Sequence, residues 1–395
     1  MVQVSILALA VTMAAFATPL FLNLALSIVG NLFRTGRQGG AAQREIHLAV
    51  VVPAHDEELM IARTVESVRA ADRSIPLYVV AHNCSDSTAA TAAAAGAQVV
   101  ELNNPKLRGK GAALRHGFAA ALAAGANAVL VVDADSVASA NLISATRAAL
   151  EDGAQATQCR YELELPAAQA GANDFRPLAR LRVLAFRGMN VVRARGRAGL
   201  GFSTGLFGNG FAVTAETLER VPFSANSIAE DVEYSTKLIA EGVRVRWVGE
   251  AFVHAHIPAG GAAQATQEAR WEGGRLRVAS QATGRLCAAV LHGNWRALET
   301  LADVWSLPLS RGILALLLTA FLPVHWLHVF AIVCAGIAVL YVLESALLGS
   351  EPAQELAALA AAPVYLLWKA AITPLVVRQS RSRAAWARTK REAQP

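Results

Sequence analysis

Long apolar runs limit what this chain can fold into. Residues 4–33 contain no charged side chain and exceed the about 20 residues that a helix needs to cross a bilayer. Further apolar stretches cover 313–348 and 356–377. Charged residues make up only 17% of the chain and hydrophobic ones 54%, against roughly 25% charged in soluble domains. The apolar excess sits at the two ends, so it reflects membrane segments rather than an oversized core.

At the N-terminus, Ala15-Phe16-Ala17 has the look of a signal-peptidase site. No basic residue precedes the run, and apolar sequence continues past it. Residues 1–33 therefore read as an uncleaved anchor, with Pro19 as a kink. Arg34, Arg37 and Arg44 follow the anchor, and Arg378, Arg381, Arg383, Arg388, Lys390 and Arg391 crowd the tail 378–395. Basic flanks of this kind mark the cytoplasmic side and face anionic membrane lipid. No nucleic-acid-binding module accompanies the net charge of +6, so no nucleic-acid partner is expected. Cys84, Cys159, Cys287 and Cys334 show neither pairing nor ligand spacing, as in a reducing compartment.

Toward the C-terminus an interfacial helix is expected over 286–306. Residues 313–348 are too long for one span, and Pro323, His325 and His328 supply a turn. Two membrane helices are thus expected within 307–349. If 354–377 formed a third, the basic tail would lie outside against the charge rule, so this segment is expected to lie in the interface.

The centre alternates strand and helix signals. Strands are expected at 46–52, 77–81, 99–100 and 128–132, with helices at 57–70, after Ser85-Asp86-Ser87, and at 111–124. This order gives a mostly parallel α/β sheet wrapped by helices. Ligands of such sheets sit beyond the carboxyl ends of strands, where Pro53, Ala81 and Asp133 fall. Further on come a basic helix at 176–197, a glycine-rich loop at 199–210, a helix at 230–241, a strand at 243–248 and a helix at 263–282.

Four clusters carry chemistry. Asp86 closes His-Asn-Cys-Ser-Asp. Asp133-Ala-Asp135 ends a buried strand, and carboxylates at i, i+2 can hold a hard divalent cation that also grips a diphosphate; capping of a following helix is the plainer use. Glu230-Asp231 opens a helix, where Asp231 stays ionised beside the helix N-terminus and suits a general base; here too simple capping is the alternative. Gln267, Arg270 and Trp271 lie within one helical turn. The arginine can neutralise a leaving diphosphate and the indole can face a sugar ring, unless they are only a surface cation and a packed ring. Gly208-Asn209-Gly210 permits close backbone approach. His254 and His256 are left out of the metal site, because Asp133 and Asp135 already account for the cation.

Val-Val-Val-Pro-Ala-His-Asp-Glu-Glu (50–58), Asn-Cys-Ser-Asp-Ser-Thr (83–88), Asp-Ala-Asp (133–135), Glu-Asp (230–231) and Gln-x-x-Arg-Trp (267–271) together resemble the family 2 inverting glycosyltransferases of GT-A fold. In motif style they are similar to the membrane-bound members: cellulose, hyaluronan and chitin-oligosaccharide synthases and ceramide glucosyltransferase. The resemblance covers about 46–285 and implies a Rossmann-like GT-A domain flanked by transmembrane helices. It implies a hexosyltransferase in the cell inner membrane with its catalytic domain cytoplasmic. Such an enzyme would move a glucose- or N-acetylglucosamine-type sugar from a nucleotide-sugar donor, UDP-linked, to a polysaccharide or lipid acceptor, with Mg2+ or Mn2+ and with an export partner protein if the product is a polymer. By position, Pro53, Ala54, Asp56, Glu57 and Asp86 would border the base and ribose, with Lys110, Asp133 and Arg270 also on the donor. Asp135 would be the main metal ligand with Asp133, Asp231 the base beside Glu230, and Gly208, Asn209, Gln267 and Trp271 would meet the acceptor. His82 departs from the pattern, since many relatives are acidic there.

Two other readings compete. Sugar-phosphate nucleotidyltransferases have a glycine-rich loop after the first strand, where this chain has Pro-Ala-His-Asp-Glu. A non-catalytic membrane scaffold would not require Asp135, Asp231 and Arg270 together.

Overall fold

Runs of β-branched residues build the sheet. In the computed structural model, which describes residues 2–33, 44–165, 176–225, 227–256 and 261–381, a long helix α1 (Val2–Gly30) precedes β1 (Leu48–Ala54). Helix α2 (Ile61–Ala71), β2 (Leu77–His82), α3 (Thr88–Ala94), β3 (Gln98–Leu102), α4 (Lys110–Ala123) and β4 (Ala128–Val131) follow. These four strands are parallel in the order β3-β2-β1-β4. Val50, Val51, Val79, Val80 and Leu130 are fully buried, as strands covered on both faces must be.

The rest of the sheet is less regular. It consists of β5 (Ser136–Ala138), β6 (Ala156–Glu164), β7 (Phe211–Thr214) and β8 (Val245–His256), giving the full order β3-β2-β1-β4-β7-β6-β8-β5. β7 runs antiparallel to β4 and β6, β8 is parallel to β6, and β5 is antiparallel to β8. One face packs on α2 and α5 (Leu142–Glu151) through Ile61, Val65, Leu142 and Leu150. The other packs on α4 and, further along, the Tyr234–Leu238 stretch.

After β6 come α6 (Arg176–Arg187), a π-helical turn Gly188–Val192 and α7 (Arg193–Gly199). Helix α7 crosses α1 with glycine against backbone. A Cβ at Gly196 would sit 2.2 Å from the Ser27 carbonyl oxygen, and backbone cannot yield as a flexible side chain does. Gly196→Ala is therefore expected to cost about 1–3 kcal/mol of stability. Thermal unfolding of the purified variant checks this; an unchanged midpoint would refute the tight crossing.

Next come α8 (Ala215–Arg220), α9 (Glu230–Ala240), α10 (Gly261–Leu291) and α11 (Arg296–Val304). The helix expected to start near 286 falls inside α10. The break comes instead at Gly293, whose φ of 93° suits a residue without Cβ. Then follow α12 (Leu309–Thr319), α13 (His325–Leu347), α14 (Pro352–Ala358), a 3-10 turn, α15 (Ala362–Ala371) and α16 (Thr373–Arg381).

Three helical segments, Gln3–Gly30, His325–Leu347 and Pro352–Arg381, are long and apolar enough to cross a membrane. Helices α11 and α12 form a fourth candidate, bent by 73°. Alone, α12 rises only about 16 Å, roughly half a bilayer core. The segment 352–381 is tied to the sheet domain along its length. Glu355 pairs with Arg187 of α6 at 2.5 Å, Lys369 bonds Glu268 and Glu272 of α10, and Val376 lies against Gly273. Arg34, Arg37 and the tail cations beyond Arg381 lie outside the described residues.

Candidate active site

One cavity of about 990 Å³ begins at the carboxyl ends of β1 and β4 and continues between α1, α12, α13 and α15. The strand order turns outward on either side of that pair, which is where open α/β sheets bind ligands. Pro53, Ala54, Glu57, Lys110, Asp133, Asp135, Gly208, Glu230, Asp231, Gln267, Arg270 and Trp271 all line it. Residues spread over more than half the sequence thus meet in one space.

Lys110 stands at its centre. It begins α4 after Gly109, and its Nζ lies 2.5 Å from Asp133 Oδ1 and 3.8 Å from Glu230 Oε1. The same ammonium donates to the Gly208 carbonyl at 2.6 Å. Burial works to lower this ammonium's pKa, but Asp133, Glu230 and Asp231 outweigh it and raise the value, so Lys110 stays charged.

Glu230 and Asp231 form the first turn of α9. Burial pushes the Glu230 carboxyl up to about 7 against the pull of Lys110, with Asp231 adding to the rise. Asp231 is raised as well, by burial first, while the Val232 N–H and Lys110 oppose it. The N–H groups of the helix N-terminus favour its ionisation as expected, but desolvation outweighs them. Between about 4.5 and about 7 the folded chain holds a proton on Glu230 that the unfolded chain has released. Stability from this group falls as pH rises through that window and levels off above it.

Asp133 and Asp135 offer hard carboxylate oxygens to the cavity. The pair fits Mg2+ or Mn2+. Ser136 donates to Asp135 Oδ1 at 3.3 Å. A second group, Asp56, Cys84 and Asp86, has ligand atoms within 4.8 Å of one another. Its oxygens are engaged by backbone: Ser85 N–H donates to Asp56 at 2.6 Å, and Thr88 and Glu58 N–H donate to Asp86 at 2.9 and 3.2 Å. Burial raises the Cys84 thiol, which makes it a poor ligand.

Three expected contacts are placed differently. Asp56 and Asp86 do not line the cavity; they clip the β1 and β2 loops together, with Asp56 at φ 52° and Asn83 at φ 51°. Asn209 is fully buried. Its Oδ1 accepts the Asp133 N–H at 3.0 Å and its Nδ2 donates to Ser136 Oγ at 2.8 Å. Both ends of the amide are consumed beneath the Asp133–Asp135 turn, so it supports that turn instead of facing an acceptor. Gly208 does face the cavity, and a Cβ there would meet Asp231 Oδ2 at 3.2 Å.

Gln267 Oε1 is buried and has no hydrogen-bond partner, so it is open to a ligand hydroxyl. Trp271 is 38% exposed and leans on Phe186 at 6.3 Å between ring centroids. His82 is buried, and since a carbonyl only accepts, its Nε2 donates to Leu107 O at 2.9 Å. Burial lowers its pKa, so it is a neutral ring.

A second cluster in the cavity wall left only a faint trace in the sequence. Arg193, Arg197 and Arg275 converge on Asp303, with Arg197 also 2.6 Å from Glu299. The i, i+4 spacing of both arginines on α7 and both acids on α11 was the available signal. Arg275 also lowers the pKa of Asp231 by its charge.

Residues 45–274 match the model of the glycosyltransferase-like family 2, more than half of the chain. The chain belongs to this family. Its α/β sheet is the GT-A-like arrangement, mostly parallel with eight strands. This glycosyltransferase is similar in fold to a mannosyltransferase from Pyrobaculum calidifontis solved with GDP-Man and Mn2+, at 18% identity over 93% of this chain and 98% of that one, with a TM-score of 0.50. It is also similar to glucosyl-3-phosphoglycerate synthase from Mycobacterium tuberculosis, solved with Mn2+, UDP and phosphoglyceric acid. There the identity is 24% over 55% of this chain and 72% of that one, with a TM-score of 0.36. No curated protein matches the chain.

Proposed function

We propose that this glycosyltransferase is an inverting hexosyltransferase that passes a sugar of glucose or N-acetylglucosamine type from a UDP-sugar to a lipid acceptor at the cytoplasmic face of the inner membrane. The observation that carries this reading is the continuity of the cavity, which joins the carboxylates of the sheet domain to apolar walls at Leu20, Leu24, Leu309, Ile313 and Leu366. A polymer channel would call for a polar, stacking lining, whereas aliphatic walls suit a hydrocarbon chain.

Asp231 takes the proton of the acceptor hydroxyl as its oxygen attacks the anomeric carbon. The bond from that carbon to the diphosphate oxygen breaks on the opposite face, and its electron pair leaves with the nucleoside diphosphate. Arg270 offers the departing charge paired hydrogen bonds. A divalent cation on Asp133 and Asp135 would neutralise the same diphosphate. Gln267 orients the acceptor hydroxyl and Trp271 covers the sugar face. Glu230 and Lys110 set the charge around Asp231. Because burial raises the Asp231 carboxyl, which must ionise to act as the base, the transfer rate is expected to fall with dropping pH before an ordinary carboxylate's roughly 4 is reached. A rate profile flat down to about pH 4 would contradict this.

In this arrangement α1, α13 and the bent α11–α12 pair enter the membrane, while 352–381, bonded to α6 and α10 throughout, lies along the interface. The basic tail then stays cytoplasmic, as the charge rule requires. Membranes containing the protein, given labelled UDP- and GDP-sugars, test the whole reading. One lipid-extractable product is expected. A ladder of water-soluble polymers would refute the lipid acceptor, and unconsumed donors of every kind would refute transfer.

A further inference from the structure

The cavity holds a buried cation that the transfer chemistry does not use. Arg182, on α6, lines the cavity and is 8% exposed. Its Nη1 is buried without a hydrogen-bond partner, and among the described residues it forms no ion pair. Glu268 is the acid whose charge acts on it. Glu268 bonds Lys369, and Glu272 bonds both Lys369 and Arg311. The acid that could compensate Arg182 is therefore already engaged by Lys369.

A buried guanidinium is always charged and is costly to leave unpaired. Its setting indicates what could pair with it. Arg182 is one helical turn from Phe186 on the same helix, and Phe186 touches Trp271. Glu268, whose charge acts on Arg182, is likewise one turn from Trp271. Arg182 thus lies on the same helix as the ring that meets the indole, and its neighbours Leu181 and Leu184 pack with Val342 of α13 and Tyr365 of α15.

We propose that Arg182 seats the acidic headgroup of the acceptor, an amphiphile with a phosphate-type anion beside its hydrocarbon chain, while the chain lies among the helices. A guanidinium meets such an anion with paired, charge-assisted hydrogen bonds. This rests on the glycosyl-transfer reading only in naming the occupant an acceptor. Binding measured without donor keeps the two separable.

The test is titration of the full-length protein, in a neutral steroidal glycoside detergent, with dodecyl phosphate, dodecanol and inorganic phosphate, followed by Trp fluorescence and calorimetry. Dodecyl phosphate is expected to bind at least tenfold more tightly than dodecanol and than inorganic phosphate. Arg182→Gln should remove that advantage while dodecanol affinity stays within twofold, and Arg182→Lys should restore part of it. The comparison of the three probes on the parent protein stands even if Arg182→Gln fails to fold. Equal binding of dodecanol would overturn the anion site, and equal binding of inorganic phosphate would overturn the lipid source. An Arg182→Gln variant that loses UDP affinity tenfold would assign the cation to the donor and overturn the proposal as well.

Discussion

Asp231→Asn is expected to lower the transfer rate by about 10²–10⁴-fold, the range that a general base supplies, while UDP affinity in the presence of Mn2+ stays within twofold. The amide keeps the shape of the carboxyl and its place beside Gly208, where a Cβ would come within 3.2 Å of the oxygen. What it loses is the capacity to take a proton. Turnover kinetics together with calorimetric nucleotide binding check the two halves separately. A variant that turns over normally would remove Asp231 from the base role, and one that no longer binds nucleotide would mean that it holds the donor.

Lys110→Met is expected to have the second largest effect, and a different one. The ammonium links Asp133 at 2.5 Å, the Gly208 carbonyl at 2.6 Å and Glu230 at 3.8 Å. Removing one partner of a fully buried ion pair costs about 3–5 kcal/mol, and this half-buried pair should cost less. Lys110 also lowers the pKa of both Glu230 and Asp231. Without it those carboxyls hold their protons to higher pH, so the acid limb of the rate profile should move upward. Denaturant melts and pH–rate profiles of the variant give both readouts. A variant with parental stability and an unmoved limb would contradict the account of the site's charge.

The clarity of the sequence varied with burial. β1, β2 and β4 were legible because a parallel strand covered on both faces is a continuous β-branched run. With their ends fixed, the placement of Pro53 and Asp133 followed. β6 and β7 left no such trace: the outer half of β6 carries Arg160, Glu162 and Glu164, and β7 has only four residues beside a glycine loop. The Gly208-Asn209-Gly210 loop announced a close approach but not the direction of the amide, which turns inward to hold Asp133 and Ser136. Asp231 was placed at a helix start by its sequence, yet its protonation depends on burial beside Glu230 and Lys110, neither of which helical spacing reveals. Arg182 shows the same limit, since a basic helix reads as a solvated one until its neighbours are known.

On the proposed mechanism, carboxylates, an arginine and an indole from distant parts of the chain act on one donor. A structure of the protein with Mn2+ and a non-hydrolysable UDP-sugar analogue tests it most directly. The diphosphate is expected against Asp133, Asp135 and Arg270, and the anomeric carbon open toward Asp231, with room for a hydroxyl about 3–3.5 Å away. A donor bound outside this cavity, or one whose anomeric carbon faces away from Asp231, would contradict it.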